Sequence, residues 1–178
     1  MSLPITLVPY QPLFLGPFMA WRNQPLSLRH NPLKAMSADD TARMLESEAA
    51  DLADLGKFAA YRWFVALGNE DSEVVGTVSL KNISHSMNYA EIGYGIAEAQ
   101  HGRGIATAAV KLLVDKVFSE TALRKLIALV HVENRPSCRV LEKLGFRREG
   151  LLREHYIIAG QPVDEVLYGL LKHEWNPR

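Results

Sequence analysis

The sequence lacks the features that would assign it to several specialised classes of protein. It has one cysteine, Cys138, which excludes an internal disulfide and suits a reducing compartment. Its 20 basic residues are balanced by 20 acidic ones, so no excess positive charge marks a nucleic-acid surface. No apolar run approaches the ~20 residues of a membrane-spanning helix, and the first residues lack the basic region of a secretory signal. We therefore expect a cytoplasmic protein with no nucleic-acid or membrane partner.

Histidines are present, but their spacing does not indicate a metal site. The six histidines are scattered, and none shows a ligand spacing such as H-x-x-x-H. We therefore predict no metal. The six are His30, His85, His101, His131, His155 and His173.

Length and composition predict a single domain over residues 1–178. A hydrophobic content of 48% with 22% charged residues is typical of a globular chain. No internal repeat, low-complexity tract or linker interrupts it. The runs of β-forming residues alternate with helical patterns, which predicts an α+β fold with a mixed, mostly antiparallel sheet and helices on both faces.

The element boundaries follow from local patterns. Strands are predicted at residues 5–8, 61–67, 74–82, 89–97 and 125–131, with a turn at 69–72 and a final hairpin of 147–158 and 163–171 joined by 159–162. Helical character is predicted near 15–23, and the capping-box-like residues 37–40 begin a helix that extends to about residue 55. Further helices follow Gly104 and Asn134.

Two glycines, Gly102 and Gly104, stand between a predicted strand and the predicted helix that begins near Gly104. Without Cβ atoms they let the backbone approach an anion, and the unpaired N–H groups of the helix point towards it. A dinucleotide-binding fingerprint is disfavoured because Thr107 stands where Gly or Ala is required, and no Gly-Lys-Ser/Thr follows as in a P-loop. The pattern predicts a phosphate-binding turn, with an ordinary tight turn as the alternative.

Two segments resemble one known family. Residues 101–106 fit Q/R-x-x-G-x-G/A, the pyrophosphate loop of the GNAT superfamily of acyl-CoA-dependent N-acyltransferases, with Gly104 and Ala106 at its last two positions and His101 where Gln or Arg is usual. Residues 134–150 closely resemble the N-x-x-S-x-x-(V/L)-L-E-K-L-G-F-x-x-E-G segment of the branch that includes the ribosomal-protein N-terminal acetyltransferases. The resemblance covers residues 60–172 well. It implies the GNAT fold, with a sheet that splays between the strands at 89–97 and 125–131.

The resemblance also implies where the cofactor would bind. Acetyl-CoA would lie in the gap of the sheet, with its pantetheine arm paired to backbone near Ile96 and Ala97 and with its pyrophosphate on the N–H groups of residues 103–107. Asn134 would bond to the pantetheine from the other side, and it is also a typical helix N-cap. The predicted cofactor-binding residues are Ile96, Ala97, His101, Gly102, Arg103, Gly104, Ile105, Ala106, Thr107 and Asn134.

Acyl transfer to nitrogen needs a group that removes a proton from the substrate ammonium. Glu91 is the candidate base, because strand alternation places it on one face with Gly93 and Gly95, which leave a hollow beside the carboxylate. Family members more often carry Trp at the position of Gly95. The alternative is a glutamate that only solvates one face of its strand.

The leaving thiolate needs a group that protonates it, and the sequence offers several hydroxyl candidates. Many GNATs use a Tyr where Leu141 stands here, while the ribosomal-protein branch carries Ser at the position of Ser137. Ser137 is the second candidate catalytic residue, as a relay or by orienting a water; the alternative is a purely structural serine. The other hydroxyl candidates are Tyr94, Tyr156 and Tyr168.

Together these features predict an N-acetyltransferase that moves acetyl from acetyl-CoA to a primary amine by direct attack in a ternary complex. The acceptor is either a protein N-terminus or a small-molecule amine. A CoA-binding or interaction module without transferase activity is the alternative, and a nucleotide-binding domain is a third reading. A homodimer is retained as a candidate assembly.

Overall fold

Seven strands pair into one sheet in the part of the chain that the computed structural model describes, residues 4–33, 36–69 and 72–176. They are β1 (Ile5–Val8), β2 (Ala60–Leu67), β3 (Val74–Ser84), β4 (Tyr89–Ile96), β5 (Lys125–His131), β6 (Arg147–Ile158) and β7 (Gln161–Leu171). Their spatial order is β1-β2-β3-β4-β5-β7-β6. Every neighbouring pair is antiparallel except β4 and β5, which confirms the predicted mixed sheet.

Five α-helices accompany the sheet within the described residues. They are α1 (Leu15–Arg22), α2 (Pro25–His30), α3 (Ala38–Ser47), α4 (Ile105–Glu120) and α5 (Arg135–Lys143). In α4 the residues Ile105, Ala109 and Leu113 recur at helical spacing and form part of a buried face. None of these helices is both long enough and apolar enough to cross a membrane.

The helices pack on both faces of the sheet, as the sequence predicts. Phe64 and Val65 are consecutive in β2 and therefore point to opposite faces. Phe64 packs against Phe14 and Phe18 at the start of α1 and within it, whereas Val65 belongs to the cluster that contains the buried side of α4. One face thus carries α1 and α3, and the other carries α4.

The helix predicted to extend from residue 37 to about residue 55 is shorter in the structure. It begins as expected, because the Ser37 side chain accepts a hydrogen bond from the Asp40 N–H. It ends at Ser47, after which Ala49 forms a parallel bridge with Tyr61 of β2. The Ala49 N–H donates to the Ala60 carbonyl and its own carbonyl accepts from the Arg62 N–H. Pairing with the sheet thus replaces the helical hydrogen bonds that local propensity favours.

One of the two predicted turns differs in detail from the prediction. The final hairpin turns over two residues, Ala159 and Gly160, both with positive φ, so β7 begins at Gln161 instead of residue 163. In the turn predicted at 69–72, the Ser72 N–H donates to the Asn69 carbonyl; residues 70 and 71 lie outside the described residues.

The two parallel strands separate part of the way along. β4 pairs with β5 only over Tyr89–Glu91 and Lys125–Ile127, although both strands continue beyond these positions. β5 instead keeps its pairing with β7 along its whole length. The sheet therefore opens into a gap between the second half of β4 and the second half of β5, which confirms the predicted splay.

Candidate active site

A cavity of about 470 Å³ lies at this gap. Its walls come from α2, the end of β4, the turn before α4 and the first part of α5. The predicted site residues in these walls are Ile96, His101, Gly102, Gly104, Ile105, Ala106, Thr107, Asn134 and Ser137. Glu91, Ala97 and Arg103 are predicted site residues that lie outside the lining.

The turn before α4 has the backbone shape that the two glycines allow. Gly102 has φ 76° and Gly104 has φ 77°, both in the left-handed region that other residues adopt only at a cost. A Cβ added at either position would meet no protein atom within 4 Å. The glycines are therefore required by the backbone conformation, and the space beside them is open to a ligand.

The N-terminus of α4 is free to receive an anion. Gly104 is its N-cap, no side chain caps the helix, and no acidic residue lies in its first turn. The first N–H groups of a helix have no partner within the helix, and the helix dipole makes this end positive. The N–H groups of Ile105, Ala106 and Thr107 are therefore directed at the cavity mouth, which is how helices bind phosphate groups.

The edge of β4 presents backbone groups to the gap. The Ala97 N–H donates to the Val75 carbonyl of β3 at 2.8 Å. Because successive residues of an antiparallel strand bond to opposite sides, the N–H and carbonyl of Ile96 point away from β3 and towards the gap. The Ala97 carbonyl accepts from the Gln100 N–H, so of the two predicted positions only Ile96 faces the cavity.

The Ile96 carbonyl already has partners within the chain. It lies 2.8 Å from Nε2 of His101 and accepts a hydrogen bond from Nε2 of Gln24 at 3.3 Å. His101, which replaces the Gln or Arg usual in the family, therefore ties the phosphate-binding turn to the end of β4.

The N-terminal segment forms a wall of the cavity that the sequence did not predict. Gln24 accepts from the Glu98 N–H at 2.9 Å, and the Leu26 N–H donates to the Glu98 carboxylate at 2.8 Å. These bonds hold the start of α2 against the end of β4. The one local signal for α2 is Pro25 at the first helical position.

On the opposite wall, Asn134 caps α5. Its side-chain oxygen accepts from the Ser137 N–H at 3.3 Å, which confirms the N-cap role. Pro136 lies in the first turn of α5, where its missing N–H costs no helical bond. The cap fixes the start of α5 and thereby places Ser137 on the cavity wall.

Ser137 forms a hydroxyl pair with Tyr94 across the gap. The two side-chain oxygens are 2.7 Å apart, and the Tyr94 hydroxyl is also 3.0 Å from the Ser137 carbonyl. Tyr94 has a single proton, so when it donates to the carbonyl, the Ser137 hydroxyl donates to Tyr94. Burial raises the pKa of Tyr94 well above its usual range, although the hydrogen bond with Ser137 opposes this. Tyr94 therefore keeps its proton at neutral pH.

The other positions considered for a proton donor do not line the cavity. Leu141, at the position where many GNATs carry Tyr, is completely buried in the core. The hydroxyl of Tyr168 donates to Glu142 at 2.8 Å. Neither Tyr168 nor Tyr156 is in the cavity lining. Of the hydroxyl candidates, the structure brings Tyr94 and Ser137 together.

Glu91 lies at the closed end of the gap, where β4 still pairs with Ile127 of β5. Its side chain is buried, and its carboxylate accepts from Nδ2 of Asn82 at 2.7 Å and pairs with Nζ of Lys81 at 3.1 Å. Above it on the same strand face, a Cβ at Gly95 would meet nothing within 4 Å. The predicted hollow therefore exists at Gly95 but not at Gly93, where a Cβ would lie 2.9 Å from Oγ of Ser79. Glu91 lies below the hollow, with two partners that sequence reasoning missed.

Buried polar side chains share the strand face of Glu91. The strand registers place Ser79 opposite Gly93, Lys81 opposite Glu91, and His131 opposite Glu165. With period-two alternation, the buried polar residues on this face are Thr77, Ser79, Glu91, His131 and Glu165. It is the face covered by α1 and α3. Burying polar groups in an apolar core is destabilising. Their presence on this face therefore suits the binding of a polar ligand in the gap, on the side opposite α4.

The described residues contain no group of three or more His, Cys, Asp or Glu side chains that could hold a metal ion.

Comparisons with known proteins agree with this geometry. The acetyltransferase (GNAT) domain family matches residues 5–147. A putative ribosomal N-acetyltransferase, YdaF of Bacillus subtilis, is 39% identical over 106 residues, which are 60% of this chain and 58% of the relative. The spermidine N(1)-acetyltransferase of Escherichia coli K12 is 34% identical over 105 residues, 59% of this chain and 56% of that protein. The matched region thus spans less than two thirds of these curated relatives.

Among solved structures, Mycobacterium smegmatis RimJ in complex with CoA-disulfide superposes with a TM-score of 0.83 and 28% identity, covering 96% of this chain and 83% of that one. Vibrio cholerae spermidine N-acetyltransferase in complex with CoA and spermine has a TM-score of 0.80 at 23% identity, with 96% of both chains covered, and shows the shared fold. The opened sheet, the phosphate-binding turn before α4 and the family match over most of the sequence lead to one conclusion: this chain belongs to the GNAT acetyltransferase family.

Proposed function

We propose that this chain transfers an acetyl group from acetyl-CoA to a primary amine by direct attack in a ternary complex. The observation that carries the proposal is the uncapped N-terminus of α4, opened by Gly102 and Gly104 at the mouth of the gap between β4 and β5. A phosphate-binding turn beside an opened sheet suits a long ligand with a pyrophosphate at one end. The names of the relatives also support acetyl transfer.

The cavity residues fit acetyl-CoA as the co-substrate. The N–H groups of Ile105, Ala106 and Thr107 would hold the pyrophosphate, and the free N–H of Ile96 would pair with the pantetheine as an added strand does. Asn134, although its oxygen caps α5, still has side-chain N–H groups for the pantetheine.

The reaction requires the amine nitrogen to lose two protons. An alkylammonium must lose one before its lone pair can attack the thioester carbonyl, and the nitrogen loses the second as the amide forms. One proton ends on the CoA sulfur and the other in solvent. Glu91 is the proposed general base for this nitrogen, at the base of the hollow beside Gly95.

The hydroxyl pair of Tyr94 and Ser137 is proposed to face the leaving thiolate. A thiol has a pKa of ~8.5, and burial raises the pKa of Tyr94 far above that value. Tyr94 therefore does not give up its proton outright to a thiolate. Instead the pair donates a hydrogen bond to the developing negative charge, and the sulfur gains its proton through Ser137 or from solvent.

A CoA-binding module without transfer chemistry is the second candidate. The observation that favours it is Leu141, which replaces the usual Tyr and is completely buried. The two candidates share the cofactor and differ in whether any amine becomes acetylated.

The experiment that tests the proposal measures CoA release from acetyl-CoA in the presence of amines. The panel contains peptides that begin with Ala or Ser, spermidine and lysine, with mass spectrometry to identify the acetylated product. We expect amine-dependent release with at least one of them. Tight binding of acetyl-CoA with no acetylated product would favour the module. The single domain over residues 1–178, the cytoplasmic location and the homodimer stay predictions.

A further inference from the structure

Strand β3 contains a bulge directly beside Glu91. The register places Lys81 opposite Glu91. The next pair is Ser84 opposite Tyr89, so two residues of β3 stand opposite a single residue of β4. Within this bulge Asn82 has φ 49°, in the left-handed region that residues other than glycine adopt only at a cost. Bulges re-aim side chains and are frequent next to active sites. The pairing of β3 with β4 is therefore irregular next to the candidate base.

The bulge brings the side chain of Asn82 to the carboxylate of Glu91. In a regular strand, residue 82 would point to the face opposite that of Lys81 and therefore away from Glu91. Instead, Nδ2 of Asn82 donates to Oε2 of Glu91 at 2.7 Å. Glu91 is buried, and a hydrogen bond to an ionised acceptor is stronger than one between neutral groups. The unfavourable φ of Asn82 thus accompanies the placement of its amide on this carboxylate.

Lys81 contacts the other oxygen of the same carboxylate. Its Nζ lies 3.1 Å from Oε1 of Glu91, and its side chain is 44% exposed. Water screens an ion pair of this kind, which therefore contributes little by itself. Two contacts to two different oxygens define the plane of the carboxylate, and each oxygen keeps a further lone pair. The carboxylate of Glu91 is therefore held in one orientation while it can still accept a proton.

We propose that Asn82 is a positioning residue for acetyl transfer, whose amide holds the carboxylate of Glu91 in the orientation that accepts the proton of the substrate amine. The inference rests on the proposed function, with Glu91 as the base, and adds the group that orients this base. Asn82 itself moves no proton. Without its amide, the Glu91 side chain samples more rotamers, and fewer of them direct an oxygen at the amine. Removing the amide therefore slows the transfer step and leaves cofactor binding intact.

The positive φ of Asn82 permits a substitution that removes only the side chain. Asn82→Gly deletes the amide and keeps the backbone conformation, since glycine adopts positive φ without strain. The matched control is Asn88→Gly. Asn88 has φ 51° and is exposed in the turn between β3 and β4. Thermal melting of both variants shows that each is folded.

The two variants are compared in kcat and in acetyl-CoA affinity. The acceptor is the best substrate among peptides that begin with Ala or Ser, spermidine and lysine. We expect Asn82→Gly to lower kcat about 10-fold with unchanged affinity for acetyl-CoA, because the amide orients a group that acts in the transfer step. Asn88→Gly should leave both values unchanged.

A double variant separates a positioning role from a structural one. In Glu91→Gln the proton acceptor is absent, so Asn82 has no base left to orient. Adding Asn82→Gly to Glu91→Gln should therefore leave kcat within about twofold of that of Glu91→Gln alone. A structural role would instead lower kcat by the same factor in both backgrounds, since a distorted site slows transfer whether or not the base is present.

Two results would overturn the inference: an unchanged kcat in the folded Asn82→Gly variant, or an equal loss in the wild-type and Glu91→Gln backgrounds. Failure of the proposed function looks different, because the wild type then acetylates none of the amines. A wrong assignment of the base is also distinguishable, since Glu91→Gln alone would keep normal turnover, and that result would remove the role of Asn82 as well.

Discussion

The hydroxyl oxygens of Tyr94 and Ser137 lie 2.7 Å apart on the cavity wall, so a change to either alters the other. Tyr94 comes from β4 and Ser137 from α5, and their contact crosses the opened part of the sheet. Each hydroxyl has one proton. If one of them donates its proton to the other, the second hydroxyl is the one that can donate to a third group, so the two act as a unit. At the scale of single residues, this makes Tyr94 and Ser137 one functional group.

The pair is tested by Ser137→Ala, Tyr94→Phe and the double variant. Each single change should slow single-turnover transfer about 10-fold, because a thiolate is already a tolerable leaving group. The double variant should lose no more than the larger single loss, since residues that act as a unit are not additive. Ser119→Ala on the exposed side of α4 is the control.

A structural serine gives another pattern. Ser137→Ala would then lower the free energy of unfolding by ~1 kcal/mol or less and leave the transfer rate intact. Thermal melting and single-turnover transfer measured on the same samples separate the two outcomes.

Glu91 is the second residue whose role is testable by itself. Glu91→Gln keeps the size of the side chain and its bond with Asn82, but the amide accepts no proton at neutral pH. We expect turnover at pH 7 to fall about 100-fold, with acetyl-CoA affinity unchanged. The control is Glu120→Gln, at the exposed end of α4. Near-normal turnover of the folded variant would remove Glu91 from the mechanism.

At the scale of elements, the turn before α4 and the helix that follows act together. The left-handed glycines turn the chain so that the first N–H groups of α4 point into the gap. His101 and Gln24 tie this turn to the end of β4 through the Ile96 carbonyl. The N-terminus of α4 and the edge of β4 are therefore held in fixed positions relative to each other.

Gly104→Val tests this element, with Gly160→Val as the matched control. Both glycines have nearly the same φ, 77° and 78°, and neither has a protein atom within 4 Å of an added Cβ. Both variants should therefore lose a similar stability, about 1–2 kcal/mol. Only Gly104→Val should weaken acetyl-CoA binding, by about 10-fold or more, because its side chain occupies the anion site. Calorimetric affinities that are equal in the two variants would contradict the cofactor assignment.

At the scale of the whole molecule, the fold was largely predictable because its signals are local. Runs of β-forming residues between turn residues mark β2 to β5, and the spacing of Ile105, Ala109 and Leu113 marks α4. The end of α3 was not predictable, since Ala49 leaves the helix to pair with Tyr61. The hydrogen bonds gained by this pairing depend on β2, which comes later in the chain than α3.

The site was predictable only where it resembles a family motif. The turn at Gly102 and Gly104 and the start of α5 are short contiguous patterns. The bonds of Lys81 and Asn82 to Glu91 depend on the register of β3 and β4, and the hydrogen bond from the Glu98 N–H to Gln24 depends on the packing of α2. Neither register nor packing is visible in residue spacing.

The central claim is that acetyl-CoA lies in the gap between β4 and β5, and amide hydrogen exchange tests it most directly. Exchange rates at individual residues are measured with and without saturating acetyl-CoA. Slower exchange is predicted for the N–H groups of Ile96, Ile105, Ala106 and Thr107, with no change at Gly160 in the distant hairpin. Binding of acetyl-CoA that leaves these four N–H groups unprotected would contradict the account.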